Sequence, residues 1–171
     1  MTDTNWQDLA RQLDDCYALY LRFIGELRDN QLRLIVQEAK LQDPIVRSGD
    51  ELPGSVQSLL SDARPIESDS TCRVFEFIYD EYVSYTISNE SYSKYPQEPE
   101  IFTGKLFRVF TWSHLLEMTR LTSYAGDEHP GPGPLQHHEI PCLNHVIDVI
   151  TTCPPRVTLL SDEVADPPIV H

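Results

Sequence analysis

Apolar residues at Trp6, Leu9, Leu13, Cys16, Tyr20, Phe23 and Leu27 follow one another in alternating steps of three and four, the spacing that lines one face of an α-helix. The pattern predicts a helix over residues 5–28. Thr4 and Gln7 offer a capping box at its start, in which hydroxyl and amide satisfy each other's orphan backbone donors. Asp29 and Asn30 are placed to end this helix and cap another, because Leu32, Ile35, Val36 and Ala39 again share one face until Pro44 forbids continuation. One bent helix or two would fit equally. The stripe suits a helix lying on a sheet of its own domain, and it also suits a homodimer through helix 5–28. The first is favoured, because a coiled coil needs three to four sustained heptads with charged flanking positions.

Residues 43–71 carry Pro44, Gly49, Pro53, Gly54 and Pro65 among many Ser and Asp, and read as a connector with a short helix at Ser55 to Asp62. At Cys72 the character changes. Val74, Phe75, Phe77, Tyr79, Val83, Tyr85 and Ile87 are β-branched or aromatic and alternate with other residues, which favours strand, with a turn or bulge at Asp80 and Glu81. Asn89 to Glu100 is a loop. Leu106 to Phe110 form another strand, and Ser113 caps a short helix through Thr119. The residues from Ile140 to Ile150 suggest a last long strand, stopped by Pro154 and Pro155, and the acidic, proline-containing tail 161–171 reads as disordered. The expected organisation is an N-terminal helical region (1–42), the connector (43–71), an α+β domain (72–160) and the tail (161–171). Helices first and strands later predict an α+β fold, with N-terminal helices packed on a mainly antiparallel sheet and one crossover helix.

The strings FEFIYDEYVSYTISNESY, GKLFRVFTWSHLLEMT, DEHPGP and LNHVIDVI, within residues 72–152, resemble a set of small bacterial proteins of uncharacterised function. The resemblance implies a bacterial, cytosolic origin and no activity, cofactor or catalytic residue.

Composition narrows the function. The 171 residues include 13 Lys and Arg against 27 Asp and Glu, a formal net charge of −14, and suffice for one domain, with or without an appendage. Such a charge repels nucleic-acid phosphates and anionic lipid, so neither nucleic acid nor membrane is expected as a partner, whereas a basic protein is. No run approaches the roughly 18 apolar residues of a membrane span. Cys16, Cys72, Cys142 and Cys153 form no C-x-x-C pair, and the N-terminus lacks a signal-peptide pattern, which points to a cytoplasmic protein with reduced thiols.

Candidate chemistry concentrates between His114 and His145, which hold five of the six histidines together with Asp127, Glu128, Glu139 and Cys142. Imidazole, carboxylate and thiolate are the usual ligands of zinc and other transition metals, and His129, His138, Cys142 and His145 are the set to test. No H-E-x-x-H or finger spacing supports them. The favoured expectation has no cofactor, with His137 and His138 in a surface loop and His145 hydrogen-bonded within the sheet. On a strand, His138 and Cys142 would share one face and His137 and Glu139 the other, while Cys142 and His145 would oppose each other. His145 with Asp148 invites a general-base role, yet three residues apart on a strand they point opposite ways, leaving Glu76 or Asp80 as remote partners. Cys142 is the one thiol among histidines, although a small buried apolar residue is its commoner fate. No G-x-S-x-G elbow or phosphate loop is present, and Pro130, Pro132 and Pro134 remove donors from the G-P-G-P stretch.

Five tyrosines, Tyr79, Tyr82, Tyr85, Tyr92 and Tyr95, lie among carboxylates. Tyr79 and Tyr85 are expected to pack, while Tyr92 and Tyr95, with Glu98 and Glu100, form an exposed acidic and aromatic docking surface. The leading expectation is therefore a non-catalytic acidic interaction or inhibitory protein, of the bacterial immunity type that covers a toxin's basic site. The alternative is a metal-dependent enzyme or metal-binding protein using the His-rich segment 114–145.

Overall fold

A computed structural model describes residues 6–43, 64–94, 98–125 and 133–160. Helix α1 (Trp6–Asp14) buries Leu9 and Leu13, as the three-and-four spacing requires, but ends after nine residues. From Ala18 the chain is extended. Strands β1 (Ala18–Arg28) and β2 (Gln31–Leu41) form an antiparallel hairpin in place of the helix expected to continue to residue 28 and its successor beyond Leu32. Asp29 and Asn30 are the two-residue hairpin loop: Arg28 faces Gln31, and Asn30 takes φ 61°, a left-handed conformation that its short polar side chain tolerates. With the helix ending at Asp14, a coiled-coil seam over residues 5–28 has no helical basis.

Helical spacing misleads here because β2 is a central strand buried on both faces. Leu32, Leu34 and Val36 face the core opposite Tyr79, Phe77 and Phe75 of β4 (Val74–Tyr79), while Ile35 and Ala39 are buried on the reverse side. A doubly buried strand loses the alternation that would mark it, and its continuous apolar run imitates a buried helix.

The remaining elements are β3 (Ile66–Glu67), β5 (Tyr82–Asn89), a 3₁₀ turn (Glu90–Tyr92), β6 (Ile101–Thr103), β7 (Arg108–Trp112), helix α2 (His114–Thr122), β8 (Gln136–Pro141), β9 (His145–Thr151) and β10 (Arg156–Leu160). They complete two antiparallel sheets. The first runs β1-β2-β4-β10 with β3 paired to β2, and the second runs β5-β9-β8-β7-β6. The expected turn at Asp80 and Glu81 is present and carries the chain from one sheet to the other. The expected last long strand is instead the β8–β9 hairpin, turning at Cys142, Leu143 and Asn144. The short helix at Ser55 to Asp62 and the tail 161–171 lie outside the described residues.

The fold class is thereby corrected. Strands hold 51% and helices 17% of the described residues, so the chain is predominantly β. Helix α2 is not a crossover, because β7 and β8, which it joins, are antiparallel neighbours. Its start follows the sequence: the Ser113 side chain accepts a hydrogen bond from the Leu116 amide at 3.0 Å.

Both sheets feed one apolar core, with Leu34, Phe75 and Phe77 from the first, Ile140, Ile147 and Val149 from the second, and Leu9 and Leu13 from α1. Phe77 stacks on Phe107 with centroids 5.5 Å apart. Each such side chain contributes about 1.5–3 kcal/mol by leaving water. Polar ties set the geometry around that core. One oxygen of Asp14, at the end of α1, accepts the successive amides of Lys105, Leu106 and Phe107 at 3.0, 2.7 and 3.0 Å. Gly104 makes this turn possible at φ 89°, where an added Cβ would run into the Phe107 carbonyl. Asn144, in the β8–β9 turn, acts as a peptide mimic on the edge of β1. It accepts from the Leu21 amide at 3.0 Å and donates to the Leu21 carbonyl at 3.1 Å.

Candidate functional site

Antiparallel register places Thr86, Asp148, Glu139 and Arg108 side by side across β5, β9, β8 and β7. Their neighbours Ile147, Val149 and Ile140 point the other way into the core, so the period of two leaves a polar row on the sheet's outer face. Every member of the row has a hydrogen-bond partner, in two groups. Thr86 donates to Asp148 at 3.0 Å, the ring nitrogen Nε2 of His137 meets the other Asp148 oxygen at 3.0 Å, and Arg108 donates to Glu139 at 2.5 Å. Burial pushes the Glu139 carboxyl above the usual carboxylate range, opposed by Arg108 and reinforced by the Asp148 charge.

His137 ties this row to α2. Its Nδ1 lies 2.8 Å from the Ser113 hydroxyl, and its ring stacks on Phe110 at 4.2 Å. An ionised Asp148 only accepts, so Nε2 carries the proton, Nδ1 accepts from the Ser113 hydroxyl, and the Ser113 oxygen accepts the Leu116 amide. Serine, imidazole and carboxylate are thus linked in series, as in a hydrolase. The chemistry does not follow. Ser113 and His137 are both buried, and the Ser113 oxygen is occupied by the helix cap, so no substrate carbonyl can reach it. The relay holds α2 to the sheet.

Above the row lies an open groove of about 680 Å³, walled by the first turn of α2 (His114, Leu115) and by Glu90, Ser93, Lys94, Pro99 and Glu100. Arg108 stands over the Phe102 ring at 4.9 Å on its floor. One Glu100 oxygen accepts the His114 amide at 2.9 Å and lies 3.2 Å from its ring Nδ1, and Glu98 lies 3.8 Å from Nε2. These carboxylates sit at the N-terminus of α2, where the unpaired amides favour negative charge.

The expected docking residues meet this groove in part. Glu100 lines it, Glu98 stands exposed beside His114, and Tyr92, on the adjoining 3₁₀ turn, is 84% exposed. Tyr95 lies outside the described residues. Tyr79 is buried and Tyr85 packs against the core.

The metal candidates fall elsewhere. His138 and Cys142 share the inner side, as strand parity requires, but within the core. His138 lies 3.3 Å from the Tyr79 hydroxyl and 3.1 Å from the Gln136 side-chain oxygen, and burial, with His137 adding, pushes its pKa down to about 3. Burial pushes the Cys142 thiol up to about 12, which makes it a poor nucleophile. His145 begins β9, where its Nδ1 is buried without a hydrogen-bond partner among the described residues. His129 lies outside them. No group of three or more His, Cys, Asp and Glu converges as a metal cradle among the described residues. The surface loop expected for His137 and His138 is corrected to the buried strand β8. Asp148, considered as the partner of His145, takes His137 instead.

Sequence reasoning reached the pairing of His137 with Glu139 on one face but missed Ser113, Thr86, Arg108 and Asp148 as its neighbours. The sequence marks Ser113 only as a cap. Among the described residues, no helix is long and apolar enough to cross a membrane. No known protein family, curated protein or solved structure matches this chain.

Proposed function

We propose that this chain is a non-catalytic interaction protein of the inhibitory, immunity-like kind, and that a basic protein partner docks on the outer face of its second sheet. The observation that carries this is the charge of the groove. Glu90, Glu100, Glu139 and Asp148 outnumber Lys94 and Arg108 two to one, in a chain whose formal charge is −14. Glu139 and Asp148 are held by internal partners and form the floor. Glu100 is likewise held by the His114 amide and ring, so Glu90 and Glu98 are the carboxylates offered to a partner at the rim. A field of one sign speeds encounter with a cationic surface and fixes its orientation, and it weakens as salt shortens the screening length to about 8–10 Å.

The test is binding of purified basic nucleases, by biolayer interferometry at two salt concentrations. The double substitution Glu90→Gln, Glu98→Gln is compared with an equal charge change at the exposed residues Asp8→Asn, Glu67→Gln. Affinity should fall at least tenfold for the first set and less than twofold for the second. Equal losses would reduce the effect to net charge and remove the groove from the proposal. Stoichiometric zinc or another transition metal in purified protein, removed by chelator with a fall in melting temperature, would replace the proposal by the metal-dependent alternative built on segment 114–145.

A further inference from the structure

An open strand edge is a template for another strand, and proteins guard such edges with short strands, prolines, bulges and charges. Three of the edge strands here are guarded. Strand β6 is three residues long and bulged, and β10 follows Pro154 and Pro155 and opens on Arg156, which is paired with Asp80. Strand β1 is latched at Leu19 and Leu21 by Leu143 and Asn144, and carries Arg22, Glu26 and Arg28. Strand β5 differs. Its one bulge lies at Val83, and from Ser84 to Asn89 it is regular, with no charge, proline or glycine.

The β8–β9 turn fixes which way the backbone groups of β5 point. Cys142 donates to the His145 carbonyl at 2.7 Å, so His145 bonds toward β8, and by alternation Val146, Asp148 and Ile150 bond toward β5. Ser88, Thr86 and Ser84 answer them, which turns the amides and carbonyls of Tyr85, Ile87 and Asn89 to the open edge. Among the described residues, the one hydrogen bond met there runs from the Ser93 hydroxyl to the Asn89 carbonyl, at 3.5 Å. Ile87 lies on the core side of the sheet opposite the fully buried Ile147, yet is itself 44% exposed.

We infer that the occupant of this edge is a second copy of the chain, paired antiparallel through β5 about a two-fold axis at Ile87, so that two five-stranded sheets become one. The sequence around the axis selects this occupant. A two-fold pairing sets each residue against the position reflected through the centre, and Thr86-Ile87-Ser88 reads hydroxyl, alkyl, hydroxyl in both directions. Ile87 meets its own copy and is covered by it, and Thr86 meets Ser88 of the second copy, both favourable cross-strand pairs. The backbone agrees, because Ile87 can exchange two N–H···O bonds with its copy without giving up any bond to β9. Nor does the charge of the chain oppose the contact. The two Asp148 carboxylates stand three strand spacings apart, about 14 Å, and the two Glu90 side chains are six strand positions apart, about 20 Å. Both separations exceed the screening length of about 8–10 Å. The dimer presents both polar rows, and both grooves, on one continuous outer face.

The test is sedimentation velocity of the full chain over a wide concentration range. The parent should sediment as a dimer. Ile87→Lys places two like charges against each other at the axis and should raise the dimer dissociation constant at least tenfold, with an unchanged melting temperature. Leu159→Lys makes the same charge change on the edge strand β10, where the side chain is also exposed, and should leave the dimer intact. Under mild oxidation Ile87→Cys should form a disulfide-linked dimer and Leu159→Cys should not. A chain that stays monomeric at every concentration overturns the inference and leaves the edge to an extended strand of a different protein. A dimer that Ile87→Lys leaves intact overturns it as well, by placing the contact elsewhere. If Ile87→Lys lowers the melting temperature, the cross-link decides: its absence from Ile87→Cys, or its equal yield from Leu159→Cys, overturns the inference.

Discussion

His137 and His138 are adjacent in the chain and lie on opposite sides of one sheet. His138 enters the core beside Tyr79 and Phe107, where burial keeps it neutral and its two nitrogens meet one hydroxyl and one amide oxygen. His137 enters the outer polar row, where a carboxylate holds one nitrogen and the cap of α2 holds the other. Both rings are buried, and both are fully partnered. The inner ring is held by apolar packing with a minimum of polar atoms. The outer one is the junction of a hydrogen-bond network that joins three strands and a helix. An imidazole therefore takes its role from the face on which it lands, a matter of strand parity, and two histidines in succession need not act together.

The difference between the faces should appear first in stability. Ile147→Ala, on the inner face, leaves a cavity in a packed core and should cost about 2–5 kcal/mol in urea unfolding, whereas the adjacent outer Val146→Ala should cost less than half of that. Equal losses would mean that the outer face is as tightly packed as the core. Asp148→Ala removes the acceptor shared by His137 and Thr86 and should cost about 1–3 kcal/mol, because the buried His137 donor is left unmet. A neutral result would dissolve the network.

The inner histidine carries its own signature in pH. His138 charges in the unfolded chain below about pH 6.5, but in the fold only near about 3. Between those values the unfolded chain binds more protons, so stability falls as pH drops, by up to about 1.4 kcal/mol per pH unit. Urea midpoints from pH 6.5 to 4.5 should show a shallower fall for His138→Phe than for the parent, and parallel curves would refute the assignment. Ser113→Ala should lower stability by about 1 kcal/mol through loss of the cap, with a change in the NMR signals of the His137 ring that a cap acting alone would not cause. Glu98→Gln, at the exposed rim, should change stability by less than about 0.5 kcal/mol and act on partner binding alone.

Local signals carried some elements through to the structure. The Ser113 cap, the turn at Asp80 and Glu81 and the exposure of Tyr92 all depend on a few neighbouring residues. Strand β2 is not readable from the spacing of its apolar residues, since a strand buried on both faces shows no alternation. Asn30 was the available clue, as an Asp-Asn pair serves a tight hairpin as readily as a helix end. The groove was legible only in fragments. Glu98 and Glu100 stand out by their charge, whereas Arg108 and Thr86 come into line with Glu139 and Asp148 through pairings between residues about 30 and 60 apart in the chain.

What the amino-acid order determines unaided is parity, capping, turn chemistry and the sign of the overall charge, because each arises within a few residues or from a simple count. Which strands are neighbours, and therefore which side chains share a face, was decided by the tertiary structure alone. Two sheets closing over one core select the register that buries Leu34, Phe77, Ile147 and Val149 together, and the polar row on the far side follows from that choice.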